Sequence, residues 1–265
     1  MPKLDAFQLK WIAIVGMVLN HIVIGWWEII PLGLALPLYA AGGLTFPIMA
    51  FFVVEGYRHT SNLKKYVTRL FIFGAISIPF HALTFGFLGL NIMFTIIVGI
   101  VCMVLYDKMK RRALFWTVFV VIALLTAVPV SFDWAIIGVI VVLLTHIIKD
   151  ENKRRIVPAI VAGVFMFVLS LFGVWMERWA EANPDIQAEL VGMPGYDSAL
   201  MMVSTVFIIG CIAAAVLLKN FNGERGRRMK WLFYTFYPLH LAIIGVVALL
   251  MGWVELGAIV IPFRT

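Results

Sequence analysis

Trp11-Ile12-Ala13-Ile14-Val15-Gly16-Met17-Val18-Leu19-Asn20-His21-Ile22-Val23-Ile24-Gly25-Trp26-Trp27 is the stretch on which the reading of this chain turns. It is apolar from end to end except for Asn20 and His21. With its lead-in Leu4-Asp5-Ala6-Phe7-Gln8-Leu9-Lys10 it is long enough, at about 1.5 Å per residue, to cross a hydrocarbon layer of about 30 Å as a helix. An ionisable ring at that depth is costly, so such residues turn toward protein or a wet cavity. Two readings of His21 stand at this point: a neutral imidazole bonded to a neighbouring helix, or a reactive group facing a cavity.

The rest of the 265 residues is of the same kind. Hydrophobic residues make up 63% and charged ones 13%, with a mean hydropathy of +1.02, too little polar surface to coat a soluble domain. Apolar runs of crossing length fall near 8–27, 44–57, 66–86, 91–106, 113–130, 133–148, 156–175, 199–219 and 231–251. The sequence predicts an all-α, polytopic transmembrane helix bundle of about nine crossings, forming one domain over 1–265. The 21 Lys and Arg exceed the 14 Asp and Glu, a balance that in a soluble protein would suggest nucleic acid. Their placement argues otherwise: 19 of them fall in the polar gaps at 3–10, 58–69, 108–112, 149–155 and 219–230. Nine crossings put all these clusters on one side, which the positive-inside rule makes the cytoplasm, together with the N-terminus.

The first run is too long for a cleaved leader, although Tyr39-Ala40-Ala41 has the small residues of a cleavage site. Cys102 and Cys211 lie within apolar runs and read as small buried hydrophobes, with no disulfide framework. The acidic stretch Met176 to Ser198, with Glu177, Glu181, Asp185, Glu189 and Asp197, falls outside as a connector or an acceptor-docking segment. The cations at 108–112 and 149–155 read as orientation signals or contacts with acidic membrane lipid.

Polar residues inside the remaining runs are few enough to name. Glu55, Arg58 and His59 share a helix face, either as an ion pair reaching for the surface or as the lining of a cavity. Arg58, Lys64, Lys65 and Arg69 set four fixed positive charges within twelve residues, a cluster that a phosphate would relieve. Pro79 and Pro238 should each bend a helix and free a carbonyl, where protein or water must satisfy it. Tyr237 and His240 flank Pro238 on one face, and Asn91 and Thr95 stand one turn apart where Asn91 suits a helix cap. No metal motif, Gly-rich nucleotide loop or GxSxG elbow is present.

Four segments together, Leu9-Lys10-Trp11-Ile12-Ala13 through Met17-Val18-Leu19-Asn20-His21-Ile22, Phe46 to His59, Asn91-Ile92-Met93-Phe94-Thr95 and Phe233 to Leu241, resemble the TraX family of membrane acetyltransferases. A looser similarity runs to the membrane acyltransferases that modify bacterial surface saccharides, through Leu4-Asp5 leading to His21 and through Lys64-Lys65 and Arg69. The resemblance implies acetyl-coenzyme A as donor, in a bacterial inner membrane, and a peptide N-terminus or a saccharide hydroxyl as acceptor. On it, His21, Glu55, His240, Asn20 and Tyr237 are the expected catalytic set, and Arg58, His59, Lys64, Lys65, Arg69, Asn91 and Thr95 the expected donor-binding set. His21 would act as a general base, or His21 or His240 would accept the acetyl group in passing. Tyr237 and Asn20 would donate to the oxyanion. Asn20 stands where the family commonly has Asp, which leaves Glu55 as the expected acidic partner of His21. The rival expectation is a proton-coupled transporter with His21, Glu55 and His240 as its relay.

Overall fold

The structure is a computed structural model and describes residues 3–127, 132–183 and 205–253. These residues form α-helices throughout: α1 (Ala6–Gly25), α2 (Leu32–Gly42), α3 (Thr45–His59), α4 (Leu63–Phe85), α5 (Ile92–Lys108), α6 (Arg112–Leu125), α7 (Ala135–Ile147), α8 (Glu151–Glu181), α9 (Phe207–Lys219) and α10 (Lys230–Leu250). Local chemistry sets many of the boundaries. Asp5 and Gln8 form a reciprocal capping box at the start of α1, each side chain accepting the other's backbone N–H. Asn62, Asn91 and Asp150 cap α4, α5 and α8, and Gly86, with φ of 76°, ends α4 in the left-handed region that a side chain would strain.

Five stretches are long and apolar enough to span a membrane: Ala6–Gly25, Leu32–His59, Leu63–Phe85, Glu151–Glu181 and Trp231–Leu250. Shorter apolar helices at Arg112–Leu125, Ala135–Ile147 and Phe207–Lys219 lie between them. The exterior is apolar, with Val120, Leu124 and Leu125 of α6 and Val168, Leu171 and Phe172 of α8 exposed, as suits a surface solvated by lipid chains. This is a helical membrane protein.

The predicted runs omit α2, although its residues are apolar and continue into α3 as one apolar stretch, Leu32–His59. Tyr39-Ala40-Ala41 is no cleavage-like linker but part of a close crossing. A Cβ on Gly43 would collide with the Phe207 carbonyl oxygen, and one on Gly210 with that of Ala40. Only glycine lets α2 and α9 approach so closely. Helix α8 is longer than its predicted run because Asp150 starts it early and it continues to Glu181, where Trp175 and Trp179 stack at 6.3 Å. The predicted run ends at 128–130 and 199–204, and the acidic positions Asp185, Glu189 and Asp197, lie outside the described residues. Cys102 and Cys211 are buried free thiols.

Pro79 and Pro238 sit inside α4 and α10, which continue through them. Beyond the second proline α10 is bonded to its neighbours: the Thr84 hydroxyl donates to Leu241 O at 3.1 Å and the Trp26 indole to Ile244 O at 3.2 Å. These bonds fix α10 against α4 and α1. At the other end of the bundle, Leu4 exchanges backbone hydrogen bonds with Asn220 and Asn222, and Ala6 N–H donates to Glu224 O. The start of the chain thereby pins the α9–α10 loop beside the start of α1.

Candidate functional site

A cavity of about 850 Å³ runs between α1, α3, α4, α10 and the α9–α10 loop. Its mouth, at the basic end of the bundle, is lined by His59, Thr60, Glu224, Arg225 and Arg227; its depth holds Asn20, His21, Asp133 and Tyr237. Lys10 and Arg69 line the passage between them.

His21 and His240 are both buried, on helices brought together across 219 residues of sequence, with His21 Nδ1 and His240 Nε2 2.8 Å apart. The other nitrogen of His240, Nδ1, lies 2.9 Å from the Phe236 carbonyl oxygen, one turn back on α10. Phe85 stands edge-on to His21 and Tyr237 edge-on to His240. Two buried polar groups beside this pair, Asn20 Nδ2 and the Tyr237 hydroxyl, donate no hydrogen bond among the described residues. Buried donors are normally paired, so these two, with Arg69 Nε further along the same cavity, mark a place shaped for an acceptor that the described residues do not supply.

Asn20 owes its position to Gly42. A Cβ there would lie 2.6 Å from Asn20 Cβ and Cγ and 2.7 Å from Nδ2, so the absent side chain is the space that Asn20 fills. On the opposite wall Trp134, at φ 61°, stacks on Phe46 at 4.3 Å and packs against Phe207. That conformation is uncommon outside glycine, and the three-ring stack holds it next to Asp133.

The predicted site residues divide into those at the cavity and those elsewhere. Asn20, His21, Glu55, His59, Arg69 and Tyr237 line it, and His240 backs His21. Glu55 is not the partner of His21: its carboxylate is bonded to Arg154 at 2.7 Å, with His59 at 3.6 Å. Hydropathy gives no hint of this pairing, since Arg154 reads as one of a run of surface cations. In the fold Arg154 is 4% exposed, holds Glu151 as well as Glu55, and lies over the Phe51 ring. Arg155 joins the same network through Glu151 and the Phe221 carbonyl, so these two arginines are no free lipid contacts.

Arg58, Lys64, Lys65, Asn91 and Thr95 are not among the described lining residues. Arg58 is exposed and donates to the His146 carbonyl at the end of α7, beside a cluster in which Tyr57 and His146 both bond Asp107. Lys64 and Lys65 are exposed. Asn91 caps α5 and donates to Gly74 O at 2.7 Å, while the Thr95 hydroxyl donates to Asp133 O, fixing the loop ahead of α7. Both are positions of architecture.

Three lining cations escaped the sequence reading: Lys10, Arg225 and Arg227. The signal for Lys10 was present. It precedes His21 by eleven residues, three helical turns, so the two share a face of α1 about 16 Å apart along the axis. Its ammonium makes no ion pair among the described residues and rests over Phe52 and Phe233 at 4.9 and 5.2 Å. Arg225 and Arg227 had no such signal, because only the tether to Leu4 and Ala6 brings their loop over the mouth.

Fold and site together define a polytopic helical membrane protein with a basic-mouthed cavity ending at a buried histidine pair. The chain belongs to the TraX family, whose model, described as TraX protein, matches residues 6–248. It is 26% identical over 264 residues, covering 91% of this chain and 94% of the relative, to the probable fimbrial assembly protein FimC, serogroup H1, of Dichelobacter nodosus. No solved structure matches.

Proposed function

We propose that the protein is a membrane-embedded acetyltransferase that moves an acetyl group from acetyl-coenzyme A to an amine or hydroxyl acceptor. The observation that supports this most is the cavity itself, which joins a cationic mouth to His21 through the membrane-embedded part of the bundle. A long donor with phosphates at one end and a reactive thioester at the other has the polarity of that passage. In this reading Arg225 and Arg227 at the mouth, with Lys10 and Arg69 further in, hold the phosphates through charge-assisted hydrogen bonds. His59, on the same rim, adds a donor.

The thioester then lies at His21. His21 takes the proton from the acceptor as its nitrogen or oxygen attacks the carbonyl carbon, and the oxyanion that forms meets the Tyr237 hydroxyl and Asn20 Nδ2. The carbon–sulfur bond breaks, the acetyl group stays on the acceptor, and the thiolate leaves with the proton from His21. Glu55 acts at a distance, holding Arg154 and the mouth in place.

Counting α2 and α3 as one broken crossing, the ten helices among the described residues make nine traverses, and the positive-inside rule then puts the cavity mouth and the N-terminus in the cytoplasm of a bacterial inner membrane. The acceptor is a peptide N-terminus in a pilus-like assembly or a surface saccharide, and the similarity to a fimbrial assembly protein favours the peptide. The test is transfer of labelled acetyl from acetyl-coenzyme A by purified protein in lipid nanodiscs, alongside thermal stabilisation by coenzyme A. Both should be present in the native chain, and stabilisation should fall in Arg225→Glu/Arg227→Glu. Neither response, with solute uptake into proteoliposomes lacking donor, would replace the enzyme by a transporter.

A further inference from the structure

The two buried histidines have different jobs, and a single backbone carbonyl assigns them. A carbonyl oxygen only accepts, so the 2.9 Å contact between His240 Nδ1 and Phe236 O requires the proton on His240 Nδ1. In the neutral ring His240 Nε2 then has only a lone pair. That nitrogen faces His21 Nδ1 at 2.8 Å, so His21 must donate from Nδ1, and its Nε2 is left as the lone-pair nitrogen. The ring geometry agrees. The centroids are 5.0 Å apart and the planes differ by 16°, a separation that the short N···N contact permits only when the rings meet edge to edge, lone pair along N–H.

We infer that His240 is a positioning residue that fixes the tautomer of His21, making His21 Nε2 the base and excluding His240 as an acetyl carrier. This deepens, and rests on, the acetyl-transfer reading. His240 Nε2 is occupied by His21, and His240 Nδ1 by Phe236 O, so neither nitrogen can attack a thioester without breaking the pair. His21 Nε2 has no hydrogen-bond partner among the described residues, and His21 lines the cavity. During transfer the acceptor proton passes to His21 Nε2 and from there to the departing thiolate, while the Nδ1–H bond to His240 persists. The positive charge that His21 carries between those events is delocalised toward His240 Nε2. The arrangement supplies what a carboxylate bonded to the histidine would otherwise supply.

Nitrogen-15 NMR of protein labelled at its five histidines tests this without any activity, each resonance being assigned by single substitution. His21 and His240 should both be neutral with the proton on Nδ1 and an unprotonated Nε2. A proton on Nε2 of either ring in the resting protein would overturn the assignment. A second arm uses acetyl transfer: His240→Gln, whose side-chain carbonyl can accept from His21 Nδ1–H, should keep at least tenfold more kcat than His240→Leu. In His240→Leu the His21 tautomer signal should also become mixed. Equal loss in both, with the His21 signal unchanged in both, would remove the positioning role. Expected NMR signals with no acetyl transfer under any condition would uphold the histidine pair and reject the enzyme reading instead.

Discussion

Replacing Gly42 by alanine should disable the site from a helix that contributes none of its reactive groups. The added Cβ would meet Asn20 Cβ and Cγ at 2.6 Å and Nδ2 at 2.7 Å, where contacts under 3.0 Å essentially never occur. Rotating Asn20 removes the clash with its amide but not that with its Cβ, which moves only with the α1 backbone. Helices α1 and α2 must therefore separate by the better part of an ångström. Overpacking of this kind costs about 1–3 kcal/mol of stability. Separation also carries Asn20 Nδ2 away from the oxyanion position, and loss of one such donor lowers kcat by about 10²–10³-fold. The assay is steady-state acetyl transfer with the thermal midpoint measured on the same preparation, beside Asn20→Ala. Gly42→Ala should lose kcat to a similar degree as Asn20→Ala with KM for the donor little changed, and it should also unfold at lower temperature. Asn20→Ala should lower its thermal midpoint less than Gly42→Ala does, because it loses packing beside Gly42 but Asn20 Nδ2 has no hydrogen-bond partner among the described residues. Full kcat in a measurably destabilised Gly42→Ala would refute the link between this contact and the chemistry.

Other substitutions separate the remaining roles. Tyr237→Phe deletes a buried hydroxyl that donates no hydrogen bond among the described residues, so it should lower kcat by about 10²-fold while moving the thermal midpoint little. Lys10→Met should raise KM for acetyl-coenzyme A with little effect on kcat, whereas Lys64→Gln/Lys65→Gln, outside the cavity, should leave both within about twofold. Arg154→Met leaves Glu55 and Glu151 without their shared cation and should destabilise the protein by about 3 kcal/mol, read from denaturant unfolding.

Helix caps and hydrophobic runs were legible because they are local. Asn91 was read as a cap from its place before an apolar run, and Asp5, Asn62 and Asp150 begin helices on the same local signal. Helix α2 is apolar and continuous with α3 over Leu32–His59, but the close approach of its Ala40 to Gly43 segment to α9 is a backbone contact that hydropathy does not register. The charged residues failed for a related reason. A sequence shows that Lys64, Lys65 and Arg154 are cations near a helix end, but only the helix rotation decides whether each faces solvent, the cavity or a buried carboxylate.

By itself the sequence determined that this is a helical membrane protein and singled out His21 as an ionisable group within an apolar helix; that Asn20, Tyr237 and His240 go with it was an expectation from resemblance. Tertiary structure decided who holds whom. His21 is partnered by a histidine 219 residues away, Glu55 by Arg154, and the cavity mouth is furnished by a loop tied to the first residues of the chain. Periodicity fixes which residues share a face of one helix, but the pairing of faces depends on how closely whole helices can approach. In this chain that is set by glycines and alanines whose sequence signature is the absence of a side chain.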